Sequence, residues 1–495
     1  MKLLTGILPA LLCVSILISC GAKTEPQNAE TAPQNIETEP AETAAAAIKP
    51  DLPEMNFNGA AYRVLARVNP AYPQFTNFEI YAESLNGDVI NDAVYERNSI
   101  LEEKYNCVIA QDAVEDPESI LKKSISSGED IYSLAFIYIM NVGKLAQQGY
   151  FYDLNSLKYL DFRKPWWSID INKMISIEGR LYFATGDFNM MDKNRTVIML
   201  YNKDLAEDYN FGNIYDYVYD KTWTIDKMTR FCTTVSADVD GDGVMTDADR
   251  WGLGMGGYGA FSTFVIAADN FIVTKDKNDV PVISVNNDHT ISSIDKALKL
   301  TNDKSIAYYC PDFAGKVSYD YWYTSSYMFF GGRLLFLPCN THSLKDASAS
   351  AEFNYGVLPH PKLDEKQEKY ISIVDPMGAM LAIPVTVGDA DFAAFMLEAL
   401  CAASKYEVLP KFYEVSSKTK YTYDEESPKM LDLIFGTLIY DLGGLYNWGG
   451  VGDLLSGAIP KEGLNTFASQ YAAIEGKVLT EMEATLEAFR ELPKY

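Results

Sequence analysis

Residues 86–110 read NGDVINDAVYERNSILEEKYNCVIA. Val89, Ala93, Ile100 and Leu101, with Val94 and Tyr105 nearby, share one face at helical spacing, so a helix is predicted to begin just after the Asn86-Gly87-Asp88 turn. Cys107-Val108-Ile109-Ala110 then reads as a buried strand. Working outward, Ala61–Arg67 (AYRVLAR) is a plausible first strand and Tyr132–Ile139 a further buried one. Strands alternating with helices predict βαβ units, mainly parallel sheets and an α/β fold. Near the end of the chain, Phe467, Tyr471, Ile474, Val478, Met482, Leu486 and Phe489 step by three or four and mark a long amphipathic helix. That stripe reads as core packing rather than a partner-binding face. There is no internal repeat.

With 495 residues, 48% of them hydrophobic, the chain holds too much material for one compact core, and two lobes are expected. Its 42 basic and 68 acidic residues give a formal charge of −26. A surface this acidic repels nucleic acid and anionic lipid, and no basic stripe relieves it, so nucleic-acid binding is excluded. The cysteines are Cys13, Cys20, Cys107, Cys232, Cys310, Cys339 and Cys401. The last five are scattered and never form a Cys-x-x-Cys pair, which speaks against a disulfide framework or a zinc site. They read as buried or free thiols. The three histidines, His289, His342 and His360, have no metal-ligand spacing to one another.

Residues 1–20, MKLLTGILPALLCVSILISC, place one cation (Lys2) before an apolar stretch that ends at the small residue Ser19. This is the pattern of an export signal, too short and interrupted for a comfortable membrane span. Leu17-Ile18-Ser19-Cys20 resembles the bacterial lipobox, which implies a signal peptide over 1–19, with cleavage leaving Cys20 first and lipidated. The alternative is an ordinary signal peptide that happens to contain a cysteine. Residues 20–50 are rich in Ala, Glu, Thr and Pro and cannot bury enough apolar area to offset ordering, so an acidic disordered tether is expected. Such a tether reaches on the order of 30 Å.

Residues 179–205, GRLYFATGDFNMMDKNRTVIMLYNKDL, look like the first crossover of bacterial extracellular solute-binding proteins, whose strand carrying "YNKDL" enters the second lobe. Tyr201-Asn202-Lys203-Asp204-Leu205 matches it here, and Thr222-Trp223-Thr224-Ile225-Asp226 matches the Thr-Trp pair that opens the next helix. Thr224 is also a good N-cap on physical grounds. Phe330-Gly331-Gly332-Arg333 and Tyr355-Gly356-Val357-Leu358-Pro359 match two later landmarks. Ala379–Pro384 (AMLAIP), with a helix from about Asp389, resembles the return to the first lobe. Glu83-Ser84-Leu85-Asn86-Gly87 and Lys164-Pro165-Trp166-Trp167 are similar to a subgroup from Gram-positive anaerobes. The chain thus resembles the carbohydrate-type (family 1) binding lipoproteins of ABC importers. That resemblance implies the type II periplasmic-binding-protein fold, two α/β lobes joined by hinge strands around an interlobe ligand cleft. The expected lobes are 51–197 with 376–422 returning to it, and 198–375 with the C-terminal helices of 423–495. It also implies a monomeric, extracytoplasmic protein, lipid-anchored to the cell membrane, that captures a solute, a sugar by this resemblance, and delivers it to permease subunits.

Residues 238–249, DVDGDGVMTDAD, follow the calcium loop D-x-[DN]-x-[DN]-G-x5-E. Asp238, Asp240 and Asp242 occupy positions 1, 3 and 5, Val244 offers its carbonyl at 7, and Thr246 stands at 9. Asp249 replaces the usual Glu at 12. Without a cation, the four carboxylates at the ligand positions would repel one another, so a structural Ca2+ is expected; the alternative is an Asp/Gly-rich turn that binds nothing.

A carbohydrate cleft pairs flat aromatic platforms with polar groups at its edges. The candidate platforms are Trp166, Trp167, Trp322 and Trp448, and the candidate polar partners are Glu83, Asp187, Asn189 and Arg333. Core packing and solvated charge are the competing readings of each. An exported hydrolase using two carboxylates is the rival class. No Gly-x-Ser-x-Gly elbow, His-Glu-x-x-His or phosphate-cradling glycine loop supports it, so a binder rather than an enzyme is expected. A surface adhesin is the third reading.

Overall fold

Asp88 accepts hydrogen bonds from the backbone of Ile90 and Asn91, and the helix it caps, α1, spans Val89–Tyr105 before Asn106 ends it in the left-handed conformation. Helix α2 (Pro117–Ser127) starts with proline behind the Asp116 cap and stops at Gly128, whose φ is +68°. Thr224 caps Ile225–Val235 and Asp389 caps Ala390–Glu407, as their side chains suggest from sequence. The computed structural model describes residues 48–493 apart from 257–259, 318–319, 321–322, 415–421 and 423. The expected signal peptide, Cys20, most of the tether and Trp322 lie outside the described residues.

In chain order the strands among these residues are β1 (Ala60–Arg67), β2 (Cys107–Val114), β3 (Leu134–Tyr138), β4 (Val197–Asn202), β5 (Trp251–Met255), β6 (Val273–Lys275), β7 (Pro281–Ile283), β8 (Ala307–Tyr309), β9 (Leu334–Asn340), β10 (Tyr355–Leu358), β11 (Ser372–Ile373), β12 (Ala379–Ala382) and β13 (Leu438–Ile439). The first lobe is built on the sheet β12-β3-β1-β2 and the second on β10-β4-β9-β5-β8. Strands β1, β2 and β3 pair in parallel, with Ala60 opposite Cys107 and Val64 opposite Leu134. Strand β5 is parallel to both β8 and β9.

The sheets are mixed rather than mainly parallel. Strand β4 runs antiparallel to β9 and β10, and β12 antiparallel to β3. Both β4 and β12 enter their sheet straight from the other lobe, so neither is bound by the helical crossover that makes neighbouring strands parallel. The two crossings lie side by side, since Thr196 and Val374 form an antiparallel bridge.

The C-terminal segment packs on both lobes. Helix Glu426–Phe435 does cover the second lobe, with the Ser427 hydroxyl accepting from the Val357 backbone at 3.1 Å. Beyond it, the chain turns to α3 (Ile139–Gln147) of the first lobe. Leu445 and Tyr446 come so close to Gly143 that a Cβ there would sit 2.7 Å from the Leu445 carbonyl oxygen. The final helix, Phe467–Glu491, accepts a hydrogen bond from Gln147 at the Thr485 hydroxyl, 2.6 Å. The same segment also holds the second lobe, where Asp441 accepts from the Val273 backbone (3.2 Å) and Asn465 donates to the Ile291 carbonyl (2.9 Å), so residues 423–495 touch both lobes.

Buried polar groups pin the first lobe. Glu398, 2% exposed in the helix Ala390–Glu407, accepts from the indoles of Trp166 (3.1 Å) and Trp167 (2.8 Å) and from the Asp161 backbone (3.3 Å). Burial pushes its carboxyl up to about 7 against those donors. In the second lobe His360 packs edge-on to Phe264 at 5.2 Å, and burial pushes it down to about 3.

Glu398→Ala leaves two indole N–H groups buried without an acceptor, and should lower the unfolding free energy by roughly 2–5 kcal/mol in urea titration. Equal midpoints for the two proteins would mean the carboxylate anchors nothing. His360 stays neutral when folded but takes a proton below 6.5 when unfolded, so its contribution is lost as pH falls from 6.5 towards 3. His360→Phe keeps the ring and removes this term, at most about 1.4 kcal/mol per pH unit. Its melting temperature should therefore drop less than the parent's between pH 7 and 4.

Candidate ligand-binding cleft

Strand β1 ends at Arg67, where the chain enters a short hairpin held by its own side chains. Asn77 accepts from the Arg67 backbone at 3.1 Å, Thr76 from Asn69 at 2.9 Å, and Asn69 from Tyr72 at 3.0 Å. The 3-10 turn Pro73–Phe75 forms its tip. From that tip Tyr72, Gln74 and Phe75 project towards the second lobe. The Gln74 amide donates to the Tyr323 hydroxyl at 3.3 Å, and the rings of Tyr72 and Tyr323 lie 6.5 Å apart at 28°. Tyr323 precedes the helix Thr324–Phe330, which packs on β5 and β9. Phe75 lies beneath the Arg195 guanidinium, 4.5 Å from its centre.

The carboxyl ends of β1 and β3 carry one charge pair. Arg67 binds Glu118 and the Glu115 carbonyl, and its guanidinium sits 3.8 Å from the Tyr138 ring centre. Glu118 also accepts from the Tyr138 backbone and from Asn141, both at 3.3 Å. The crossing segments carry a second pair. Arg195, 3% exposed, donates to Asp375 at 2.6 Å and to His342 Nδ1 at 3.2 Å, while Asn340 donates to the same Asp375 oxygen at 3.0 Å. A guanidinium can only donate, so His342 Nδ1 carries its lone pair and the ring proton sits on Nε2. Burial, then the Arg195 charge, pushes His342 down to about 3, which keeps it neutral.

These pairs form one electrostatic unit. Burial raises the Tyr138 hydroxyl, and the charges of Arg67, Glu118, Arg195 and Asp375 all act on it. Each arginine is matched by a carboxylate, yet Arg67 Nε and Arg195 Nε are buried without a hydrogen-bond partner. Beside them Met140 and Met377 are exposed, on segments joined by a hydrogen bond from Met140 to the Pro376 carbonyl. Spare donors, carbonyl and carboxylate acceptors, aromatic faces and no excess charge suit a polyhydroxylated neutral guest. Ligands of open α/β sheets sit at the carboxyl ends of strands, which is where Arg67 and Tyr138 are.

Among the described residues, those expected from sequence to line the site do not gather here. Trp166 and Trp167 are core residues whose indoles serve Glu398, and Trp448 is buried, stacked on Tyr446 and donating to Thr485 at 2.7 Å. Asn189 is buried and donates to the Ala379 carbonyl at 2.6 Å. Asp187 is tied to Lys405 (3.4 Å) and Lys193 (3.7 Å). Arg333 donates to the Asp247 carbonyl at 2.5 Å, beside the acidic loop, and Glu83 is exposed ahead of α1. Their indole N–H groups find buried acceptors in Glu398 and Thr485, so the core takes them, whereas Tyr72 and Tyr323 stay partly exposed. Arg195 carried a readable signal, as a cation two residues before the apolar strand β4 in the crossover, with Lys193 close by. A hollow of about 420 Å³ also exists, but all its lining residues, including Tyr159, Asp161, Arg163 and Glu398, belong to the first lobe.

The acidic loop folds as a tight turn. Carboxylate oxygens of Asp238, Asp240 and Asp242 lie within 4.8 Å of one another, and Gly243 adopts φ +83°. Asp249 accepts from the backbones of Val239 (2.9 Å) and Thr246 (2.7 Å). Among the described residues no lysine or arginine pairs with any of these four. The Asp242 backbone holds the Asp240 carboxyl down, but desolvation and the charges of Asp242, Asp249 and Asp238 raise it overall. The donor set fits a hard divalent cation, and Trp251 and Arg333 fasten the loop to the second sheet through the Thr246 (2.7 Å) and Asp247 carbonyls.

No protein-family model matches the chain, and no curated protein matches it. Solved structures do share its fold. The maltose/maltodextrin-binding domain from Bdellovibrio bacteriovorus, bound to maltotriose, aligns over 87% of this chain and all of its own, with a TM-score of 0.52 at 14% identity. An ABC substrate-binding protein from Listeria monocytogenes, in complex with cycloalternan, aligns over 87% of this chain and 99% of its own, with a TM-score of 0.51 at 13% identity. A cyclo/maltodextrin-binding protein complexed with maltotetraose covers 90% of this chain and 98% of its own, with a TM-score of 0.52 at 13% identity. The chain has the two-lobed α/β fold of these solute-binding proteins.

Proposed function

We propose that this protein captures an extracytoplasmic carbohydrate in the cleft between its lobes and passes it to the permease subunits of an ABC importer. The observation that carries the reading is the cleft itself. Two matched ion pairs, spare guanidinium donors and tyrosine faces converge where the crossing segments meet. Proteins sharing the fold hold maltotriose, cycloalternan and maltotetraose. Export and a lipid anchor at Cys20, followed by the acidic tether, complete the reading. No helix among the described residues is long and apolar enough to cross a membrane. The protein acts as a monomer and binds without turnover. For a glycosidase, one of two facing carboxyls would have to donate a proton to the leaving group. Glu118 and Asp375 are instead each held by an arginine.

The loop 238–249 binds Ca2+ and serves structure. Asp238, Asp240, Asp242, the Val244 carbonyl, Thr246 and Asp249 would hold the ion, which would cancel the mutual repulsion of the converging carboxylates and brace the entry to β5.

A thermal-shift screen of neutral oligosaccharides, maltotriose among them, should raise the melting temperature of the parent without consuming the sugar. Arg195→Ala should weaken that binding about 30-fold or more in calorimetry, the lower end for truncating one partner of a buried charged contact. Turnover of a glycan, or no stabilisation by any sugar, would sink the assignment. Added Ca2+ should raise the melting temperature over an EDTA-treated sample, and Asp240→Ala should abolish the difference. A parent protein indifferent to both treatments would leave the loop an ordinary turn.

A further inference from the structure

The hairpin at residues 69–76 touches the second lobe and the crossing segment by three separate contacts. Gln74 donates to the Tyr323 hydroxyl, Tyr72 lies alongside the Tyr323 ring, and Phe75 underlies Arg195. Its base is fastened to the first lobe. The Asn77 side-chain Oδ1 takes the Arg67 backbone N–H, the Asn77 backbone N–H returns to the Arg67 carbonyl at 3.0 Å, and Glu79 behind it is fully buried, accepting from the Phe78 backbone at 2.8 Å. The tip is therefore presented in a set geometry, with little ordering cost left when it meets Tyr323.

We infer that this hairpin is a built-in clasp, which holds the two lobes together in the absence of any solute through Tyr72 and Gln74 on Tyr323 and Phe75 on Arg195. The inference rests on the binding reading above and concerns the regulation of that same cleft. Each contact is of a kind that is weak alone. An aromatic pair, a cation over a ring and a neutral hydrogen bond together shift a two-state equilibrium by on the order of tenfold to a hundredfold. That is enough to make the closed form the major one, and too little to prevent opening. A solute then enters during the minor open state, and closure restores the contact of Tyr72 and Gln74 with Tyr323 beside it. Tyr72 is 41% exposed, so its outer face is available to such a guest.

The clasp is tested on the full chain with no solute present. Nitroxides at Glu103→Cys in the first lobe and Thr234→Cys in the second, both exposed positions, report the interlobe distance by pulsed electron resonance. The parent should give a single narrow distribution. Tyr72→Ala with Gln74→Ala should shift it to longer, broader distances, and Tyr323→Phe, which removes only the hydroxyl, should produce a smaller shift in the same direction. Circular dichroism melts check that each variant folds. A parent distribution already as long and broad as the double variant's, or variants that coincide with a narrow parent, would overturn the clasp. Maltotriose binding by the parent is measured separately, so failure of the clasp and failure of the importer assignment give different results.

Discussion

Arg195 brings a permanent charge to the place where the chain passes between lobes, and it is almost wholly withdrawn from water. A guanidinium cannot shed its proton to escape that cost, so its surroundings must supply acceptors in fixed positions. Asp375 comes from the returning segment, His342 Nδ1 from the turn after β9, and the Phe75 ring from the first-lobe hairpin. One side chain thereby sets the spacing of parts that lie far apart in sequence. The Thr196–Val374 bridge beside it keeps the two crossings in register. Sheets, cleft and hairpin tip all take their relative placement from this junction.

The same logic governs Glu398 with a different outcome. Its carboxyl can be protonated, and burial raises it to about 7. Three N–H donors offset the burial, and two of them come from the adjacent indoles of Trp166 and Trp167. The Lys164-Pro165-Trp166-Trp167 turn is thus a structural staple of the first lobe. Aromatic content that suggests a carbohydrate surface in composition is spent here on the core.

Charge is distributed to match. The net −26 of the chain is spread over the outside, whereas the cleft balances each arginine with a carboxylate. A balanced cleft recognises hydroxyls by direction rather than by charge, which neutral polyols require. A small part of the excess acid is gathered in the loop before β5, where three carboxylates meet and no lysine or arginine among the described residues pairs with them.

Several features were legible in the sequence because their causes are local. Helix starts at Asp88, Thr224 and Asp389, the strands β1 to β3, and the amphipathic C-terminal helix follow from capping chemistry and from residue spacing. The order of landmarks along the chain also anticipated a two-lobed α/β fold. The site was not legible, because Arg67, Tyr72, Glu118, Tyr138, Arg195, Tyr323, His342 and Asp375 are brought together only by two sheets and their crossings. Tryptophans look the same in sequence whether they face a guest or a buried glutamate, and a C-terminal helix does not announce which lobe has an uncovered apolar face. The sequence alone determined the elements and their pattern, since neighbours along the chain decide hydrogen bonding and periodicity. Tertiary structure alone decided which polar groups stay accessible, since burial depends on residues hundreds of positions away.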